Sequence, residues 1–332
     1  MSKKLSIAIP TYNRLAYLKE CINSILNQTF QDFSIFVFDN ASDEPVEKEL
    51  KNFNDEKIHF IGSDKNIGSA GNINRILSYS FDSKYLTIFH DDDLMYPKML
   101  ELQTSFLDNH GDVLFVVSEL NMVCDKNISD FKNFNIDKIK YNIYKNNHEF
   151  TKAIMSWLRY AFDSTMYKTE AIGNSRMNFD KFSDFADRIF LTEISKKGSC
   201  AFINIPLVNY RIHHGQDSKL FKKSYEKGVI ETLMFSRENL PSELDESETK
   251  LFRQYSLNFL IYAYAHINGG FFNFLKFMKG CYKQRLIKLS YFKYINVYGI
   301  TSLASIFFKN KKIFDIARCF RDFFKKLNFL KL

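Results

Sequence analysis

Apolar and polar positions follow two rhythms along the first 120 residues. LSIAIP (5–10), FSIFVFD (33–39), KIHFIG (57–62), YLTIFH (85–90) and VLFVVSE (113–119) are short apolar runs rich in β-branched and aromatic residues. Runs of that length and composition predict buried strands. Between them, residues 14–28, 45–53, 69–81 and 97–110 carry apolar side chains three and four apart, as with Leu15, Leu18, Ile22, Ile25 and Leu26. That spacing predicts helices with one buried face, and Pro45 and Pro97 stand where a first helical turn accepts proline. Strands alternating with helices predict βαβ units, hence a mostly parallel sheet sandwiched by helices.

Beyond residue 120 the rhythm weakens. Residues 121–148 are polar and Asn- and Lys-rich, as in an insertion or an acceptor loop. Helical spacing returns at 148–160 and 182–197, a strand-like run spans 200–213 with a break at Pro206, and from about 220 the pattern is helical to the end. The expected division is residues 1–215 as one α/β domain in two halves, 1–120 and 121–215. A helical region, 216–332, follows.

Ligands of parallel α/β sheets bind beyond the carboxyl ends of the strands. Here those ends read Pro10-Thr11-Tyr12-Asn13-Arg14, Asp39-Asn40-Ala41-Ser42-Asp43, Ser63-Asp64-Lys65-Asn66 and His90-Asp91-Asp92-Asp93. Four polar ends on one edge, two dominated by acids, predict a site for a cation and a polyol or base. Three adjacent carboxylates repel one another, and burial adds to the cost unless a cation or a donor offsets it.

Composition narrows the setting. At 332 residues and 45% hydrophobic, the chain can build a substantial core. Its five cysteines are scattered without a C-x-x-C pair, as expected of free thiols in a reducing cytosol. No run approaches the roughly 20 apolar residues of a spanning helix. Charge is unevenly placed: residues 271–332 hold 14 Lys or Arg against 2 Asp or Glu, a net +12, so the rest carries −4 of the total +8.

The segment LSIAIPTYNRLAYLKECINSILNQTFQDFSIFVFDNASDE, followed by NIGSAGNIN and FHDDDLMYP, resembles the family 2 glycosyltransferases of the GT-A fold over roughly residues 4–215. The resemblance rests on several motifs in order. It implies an inverting transfer of a sugar from a nucleotide-diphospho-sugar, a UDP-sugar first among them, with a divalent metal, Mn²⁺ or Mg²⁺. Carboxylates that hold such a cation against the departing diphosphate suit this chemistry. The family pattern at the acids is D-x-D-D, and His90 replaces its first Asp. Aligned on Pro97, Asp92 takes the metal position, with Asp93 and His213 as further ligands. His213 comes from VNYRIHHGQDSK, which matches a tyrosine-arginine-x-histidine segment of the family. In the same segment Arg211 reads as a structural ion-pair partner or a phosphate clamp.

The resemblance also implies a nucleotide-sugar site made of Pro10, Thr11, Asn13, Arg14, Asp39, Asn40, Asn66, Gly68, Asn72, Asp91 and Asp92. An Asx turn competes for Asn40 and Ser42, less so for Asp39. Ile73 stands where many relatives carry a basic residue, and Arg75 does not obviously replace it. The family places its base eleven residues before a glycine. Counting back from Gly198 gives Asp187, with Asp184 one turn earlier on the same helical face as the alternative.

The basic, Phe-rich tail fits two descriptions: an amphipathic segment on an anionic membrane, or a small bundle with Phe inward and Lys outward. The first suits a polyprenyl-diphosphate-linked glycan or other saccharide acceptor in bacterial surface polysaccharide synthesis (O-antigen or capsule), on a cytoplasmic protein peripheral to the inner face of the plasma membrane. Two rivals stand. A nucleotidyltransferase would need a Gly-rich triphosphate loop after the first strand, where PTYNR stands instead. A non-catalytic membrane or nucleic-acid binder is permitted by the tail, but the acids at 91–93 repel phosphates without a metal, so nucleic acid is not an expected partner.

Overall fold

The computed structural model describes residues 3–125, 128–129, 131, 138–156, 158–213, 225–267, 271–283, 287–288 and 290–291. In chain order the elements are β1 (Leu5–Thr11), α1 (Leu15–Leu26), β2 (Phe33–Asp39), α2 (Val46–Lys51), β3 (Ile58–Ile61), α3 (Gly68–Ser78), β4 (Tyr85–Ile88), β5 (Leu94–Met95), α4 (Met99–Asn109), β6 (Val113–Cys124), β7 (Tyr141–Tyr144), α5 (Asn147–Met155), β8 (Met166–Lys168), α6 (Thr169–Ile172), α7 (Phe179–Phe182), α8 (Ala186–Ser195), β9 (Ser199–Ile212), α9 (Tyr225–Glu238), α10 (Glu246–Ile267) and α11 (Phe271–Lys283).

One sheet runs in the order β3-β2-β1-β4-β8-β6-β9-β5, with β7 also paired to β9. The pairs β1–β2, β2–β3, β1–β4 and β6–β9 are parallel. β1 lies between β2 and β4, so successive βα units run away from it in opposite directions. The gap between β1 and β4 is therefore a topological switch point, where α/β sheets open a crevice for ligands. The apolar runs form these strands because both faces are covered: Leu5, Ile7, Ile9, Phe33, Ile35 and Val37 are buried on one face, in the same core as Leu18, Cys21, Ile22 and Ile25 of α1, and Ala8, Phe38, Leu86 and Ile88 are buried on the other.

Three short strands escape the hydrophobic pattern. β8 lies antiparallel between β4 and β6, so the fourth and fifth predicted strands are not neighbours. β5 pairs antiparallel with β9, Leu94 opposite Asn209, which carries the end of β9 to the acidic loop. β7 adds an antiparallel partner to β9 from within the segment expected to be a loop. At Pro206 the strand does not break. β9 continues through it, and the register with β6 shifts on either side of Glu119, the residue opposite Pro206. Proline has no N–H for the ladder, and a bulge absorbs the loss.

The described chain forms two compact units. One comprises residues 1–150, 158–177 and 187–220 and contains the sheet. The other comprises 151–157, 178–186 and 221–332. The second has its own core, built from Val229 and Leu233 of α9, Leu257, Leu260, Ile261 and Tyr264 of α10, and Phe274, Phe277, Met278 and Cys281 of α11. In α11 Phe274 and Phe277 face inward, while Lys276, Lys279 and Lys283 are exposed together with Leu275 and Tyr282. For this segment the arrangement is the bundle. Residues 292–332, with most of the basic tail, lie outside the described residues. No described helix is long and apolar enough to cross a membrane.

Candidate active site at the carboxyl ends of the strands

The loops after β1 and β2 are zipped together. Asn13, in the left-handed region at φ 50°, donates through Nδ2 to Asp43 at 3.0 Å and accepts from the Asp43 amide at 2.8 Å. Its own amide donates to Ser42 Oγ. Asparagine tolerates this backbone region better than most residues. Glu44, from the β2 loop, accepts the Leu15 amide at 2.9 Å and so serves the start of α1.

Asp39 is buried, and its carboxylate accepts from the Ser42 amide (3.1 Å) and hydroxyl (2.5 Å). The Asx turn is thus built on Asp39, the residue for which the sequence argument gave it less weight. Asn40 reaches the next loop, donating to Asn66 Oδ1 and accepting from the Ile67 amide, both at 3.0 Å. Asn66 also accepts from the amide of Gly68, whose φ of 77° suits a residue without a Cβ. Asn72 is buried and donates to the Phe38 carbonyl. Arg75 donates to the carbonyls of Asp39, Ile61 and Gly62 and so ties the ends of β2 and β3, while Ile73 is in the core.

The three acids follow β4 at the switch point, and all are buried. Each has a different set of partners. Thr11, the last residue of β1, donates to Asp91 Oδ2 at 2.7 Å across the crevice. Arg14 Nη1 spans Asp91 (3.5 Å) and Asp92 (3.2 Å). His213 Nε2 lies 2.9 Å from Asp92 Oδ2. Asp93 Oδ1 accepts the Arg211 amide at 2.7 Å, whereas its other oxygen is directed to Asp163 and His90. Asp92 and Asp93, grouped as ligands of one metal from the sequence, therefore point to different partners.

Burial drives the three apart electrostatically. Burial and then repulsion from Asp92 hold the Asp91 carboxyl above its ordinary range. Burial and then Asp163 push Asp93 well above it. Burial would raise Asp92 as well, but the His213 contact and the charges of His90 and Arg14 outweigh it and keep this carboxyl low. Asp92 is thus the acid most firmly held as an anion.

Arg211 organises this corner. It is 1% exposed; Nε donates to the Asp92 carbonyl at 2.6 Å, Nη2 to Glu20 at 2.5 Å and Nη1 to Asp125. The guanidinium lies 4.4 Å from the Tyr17 ring centroid, and Tyr17 packs edge-on against His213. Its hydrogen bonds make it an ion-pair partner. His214 lies outside the described residues.

Asp187 stands in the first turn of α8, and burial raises its carboxyl while the charges of Arg188 and His90 oppose the shift. His90 acts electrostatically on Asp187 as well as on Asp91, Asp92 and Asp163. Asp184 is not on the same helix. It belongs to a separate 3-10 turn, Ser183–Phe185, entered through Ser183 at φ 52°. The expectation of one shared helical face fails because α8 begins only at Ala186.

Sequence reasoning passed over Asp163, Glu20, Asp125 and Tyr17. Asp163 had a signal: it is the lone charge in YAFDSTMY, an otherwise uncharged stretch. Glu20 and Tyr17, three apart on the polar side of α1, read as ordinary surface positions.

Residues 6–164 match the sequence model of the family described as Glycosyl transferase family 2. An uncharacterised glycosyltransferase of Methanocaldococcus jannaschii is 35% identical over 150 residues, 44% of this chain and 51% of the relative. The GalNAc(5)-diNAcBac-PP-undecaprenol beta-1,3-glucosyltransferase of Campylobacter jejuni is 34% identical over 93 residues, 27% of this chain and 30% of the relative. The chain therefore spans about half or less of these two proteins. Among solved structures, S. aureus TarS 1–349 in complex with UDP-GlcNAc superposes with a TM-score of 0.51 at 14% identity, over 80% of this chain and 83% of that one. The mannosyltransferase PcManGT of Pyrobaculum calidifontis, in complex with GDP-Man and Mn²⁺, gives 0.53 at 13% identity, over 92% and 87%. At such identities the likeness is one of fold.

Proposed function

We propose, from the match of residues 6–164 to the glycosyl transferase family 2 model, that the protein is a glycosyltransferase of that family and transfers a sugar from a nucleotide-diphospho-sugar to a saccharide hydroxyl with inversion. The observation that carries the reading is the state of Asp92. It is a buried carboxylate at the switch point, kept anionic and met by Arg14 and His213 at 3.2 and 2.9 Å. A carboxylate oxygen beside an imidazole nitrogen is a donor set that suits Mn²⁺, and a solved structure of this fold holds GDP-Man and Mn²⁺ together. Asp92 and His213 would hold the metal, which when bound supplies charge to offset that of the departing diphosphate.

The chain's own residues do the remaining work. The hydroxyl of Thr11 and the guanidinium of Arg14 fix Asp91 and Asp92 at the crevice. Asp39, Asn40 and Asn66 hold the loops on which the base and ribose would rest. Asp187 takes the proton from the acceptor hydroxyl as that oxygen bonds to the anomeric carbon and the bond to the nucleoside diphosphate breaks on the opposite face. The donor is read as a UDP-sugar, in keeping with the UDP-GlcNAc complex of the S. aureus neighbour. The acceptor is read as a polyprenyl-diphosphate-linked glycan of a bacterial surface polysaccharide, in keeping with the Campylobacter relative's name. That acceptor favours work at the inner face of the plasma membrane, with residues 292–332 as the basic contact to anionic lipid.

The test is Asp92→Asn, assayed by release of nucleoside diphosphate from a panel of sugar donors with Mn²⁺. Transfer should be lost and donor binding weakened while the thermal transition persists. Wild-type turnover in this variant would refute the assignment of Asp92.

A further inference from the structure

Asp163 lies in a single 3-10 turn, Phe162–Ser164, just before β8. It is fully buried, and among the described residues neither of its carboxylate oxygens meets a side-chain N–H or O–H donor; what it faces is the carboxyl of Asp93. Asp93 Oδ2 is in the same condition. His90 closes the third side, its Nδ1 3.9 Å from Asp93 Oδ2. One ligand atom from each of the three residues lies within 4.8 Å of the other two.

Buried carboxylate oxygens without donors are costly, and two such groups facing one another are costlier still. The side chains that serve the acids next door do not relieve this. Thr11, Arg14 and His213 act on Asp91 and Asp92, and the Arg211 amide occupies the other oxygen of Asp93. What would satisfy three orphaned oxygens and an imidazole nitrogen together is a small cation.

We propose that His90, Asp93 and Asp163 form a second cation site, separate from Asp92 and His213, that takes a divalent first-row transition ion, Mn²⁺ or Zn²⁺. Two carboxylates and one imidazole favour such ions over Mg²⁺ or Ca²⁺, which take oxygen ligands. Ligand distances of about 2.0–2.2 Å put donors at most about 4.4 Å apart, so the group needs to close by only a few tenths of an ångström. His90 is also the position at which the acidic run departs from D-x-D-D. The imidazole there keeps a third anion out of the cluster and supplies its nitrogen ligand. The ion ties the end of β4, the approach to β5 and the turn before β8, and so fixes the loop that carries Asp92.

The experiment is a titration of Mn²⁺ into the full-length, nucleotide-free protein, followed by electron paramagnetic resonance and by the thermal transition. Altering even an outer-shell partner of a metal ligand weakens binding about 10–100-fold. Without nucleotide the Asp92–His213 pair lacks the diphosphate oxygens that would complete its metal shell, so uptake reports the second site: Asp163→Asn and His90→Gln should each weaken uptake at least that much and abolish the Mn²⁺-dependent rise in Tm, whereas Asp92→Asn should retain both. Anomalous diffraction at the manganese edge should place an ion among the three side chains. Uptake unchanged in Asp163→Asn, or lost in Asp92→Asn alone, overturns the site. So does absence of uptake with Asp163→Asn raising Tm in metal-free buffer, because the pair then shares a proton that the amide replaces. None of these readouts depends on sugar transfer, so failure here is separate from failure of the proposed activity.

Discussion

Replacing Arg211 with leucine separates its two roles. Leucine keeps part of the buried stem and removes the guanidinium. The Asp92 carbonyl then loses a buried donor at 2.6 Å, which costs about 1–3 kcal/mol. The contact with the Tyr17 ring, 4.4 Å from its centroid, contributes about 1 kcal/mol. Glu20 and Asp125 are 50% and 52% exposed, so solvent screening limits each ion pair to about 0.5 kcal/mol. The total is about 3–5 kcal/mol, or a fall in Tm of roughly 10 °C. Urea or thermal unfolding measures this, with donor affinity followed in parallel. Arg211→Lys keeps the charge but cannot fork between two acids, so it should restore only a minority of the loss. Undiminished stability in Arg211→Leu, together with lost donor binding, would refute the structural role and make Arg211 a phosphate clamp.

Asp187→Asn should stop transfer and spare donor binding; if Asp184→Asn does so instead, the base is Asp184. Because burial raises the Asp187 carboxyl and a base acts only when ionised, activity should fall as pH drops through a value above the usual carboxylate range, and the acid limb should vanish in Asp187→Asn. Burial would raise Asp108, but hydrogen bonds from Lys4, Lys84 and Tyr85 hold it at about 2. Its folded value is depressed, so its contribution is complete above about pH 4 and lost as pH falls toward 2; with 31% exposure it amounts to about 1–2 kcal/mol. Asp108→Asn should lower stability at pH 7 by that amount and flatten its acid dependence, and equal acid sensitivity in both proteins would count against the network. Truncation after Tyr291, which removes no described residue of the second core, should release the protein from anionic vesicles; unchanged retention would exclude residues 292–332 as the lipid contact.

The parallel half of the sheet was legible because its central strands are largely buried, so their apolar runs are nearly continuous and their polar ends abrupt, while β3 at the edge is only partly buried. β1 through β4 fall within a residue or two of their expected positions. β8 and β5 were hidden for a physical reason: at three and two residues they carry no period, and tertiary pairing alone defines them. The candidate site divides the same way. Thr11, Arg14, Asp91, Asp92 and His213 converge because the switch point and the β5–β9 pairing bring strand ends together. What the linear pattern does not carry is the division of partners, which puts Asp93 with Asp163, 70 residues away, rather than with Asp92.

That division explains how three adjacent acids persist in a buried loop. No single cation answers all three. Asp91 is met by a hydroxyl from β1 and by Arg14, Asp92 by Arg14 and His213, and Asp93 by a backbone amide of β9. Each partner comes from a segment already anchored in the sheet or at the start of α1, so little additional ordering entropy is spent at the site. The arrangement also couples stability to chemistry. Removing an acid strands its partner as a buried unpaired donor or cation, whereas an isosteric amide keeps the shape and part of the hydrogen bonding. Asp→Asn changes in this loop should therefore lose function with modest loss of stability, and Asp→Ala changes should lose both. Equal destabilisation by Asp92→Asn and Asp92→Ala in urea unfolding would show that the charge of Asp92, rather than its hydrogen-bonded shape, holds the loop.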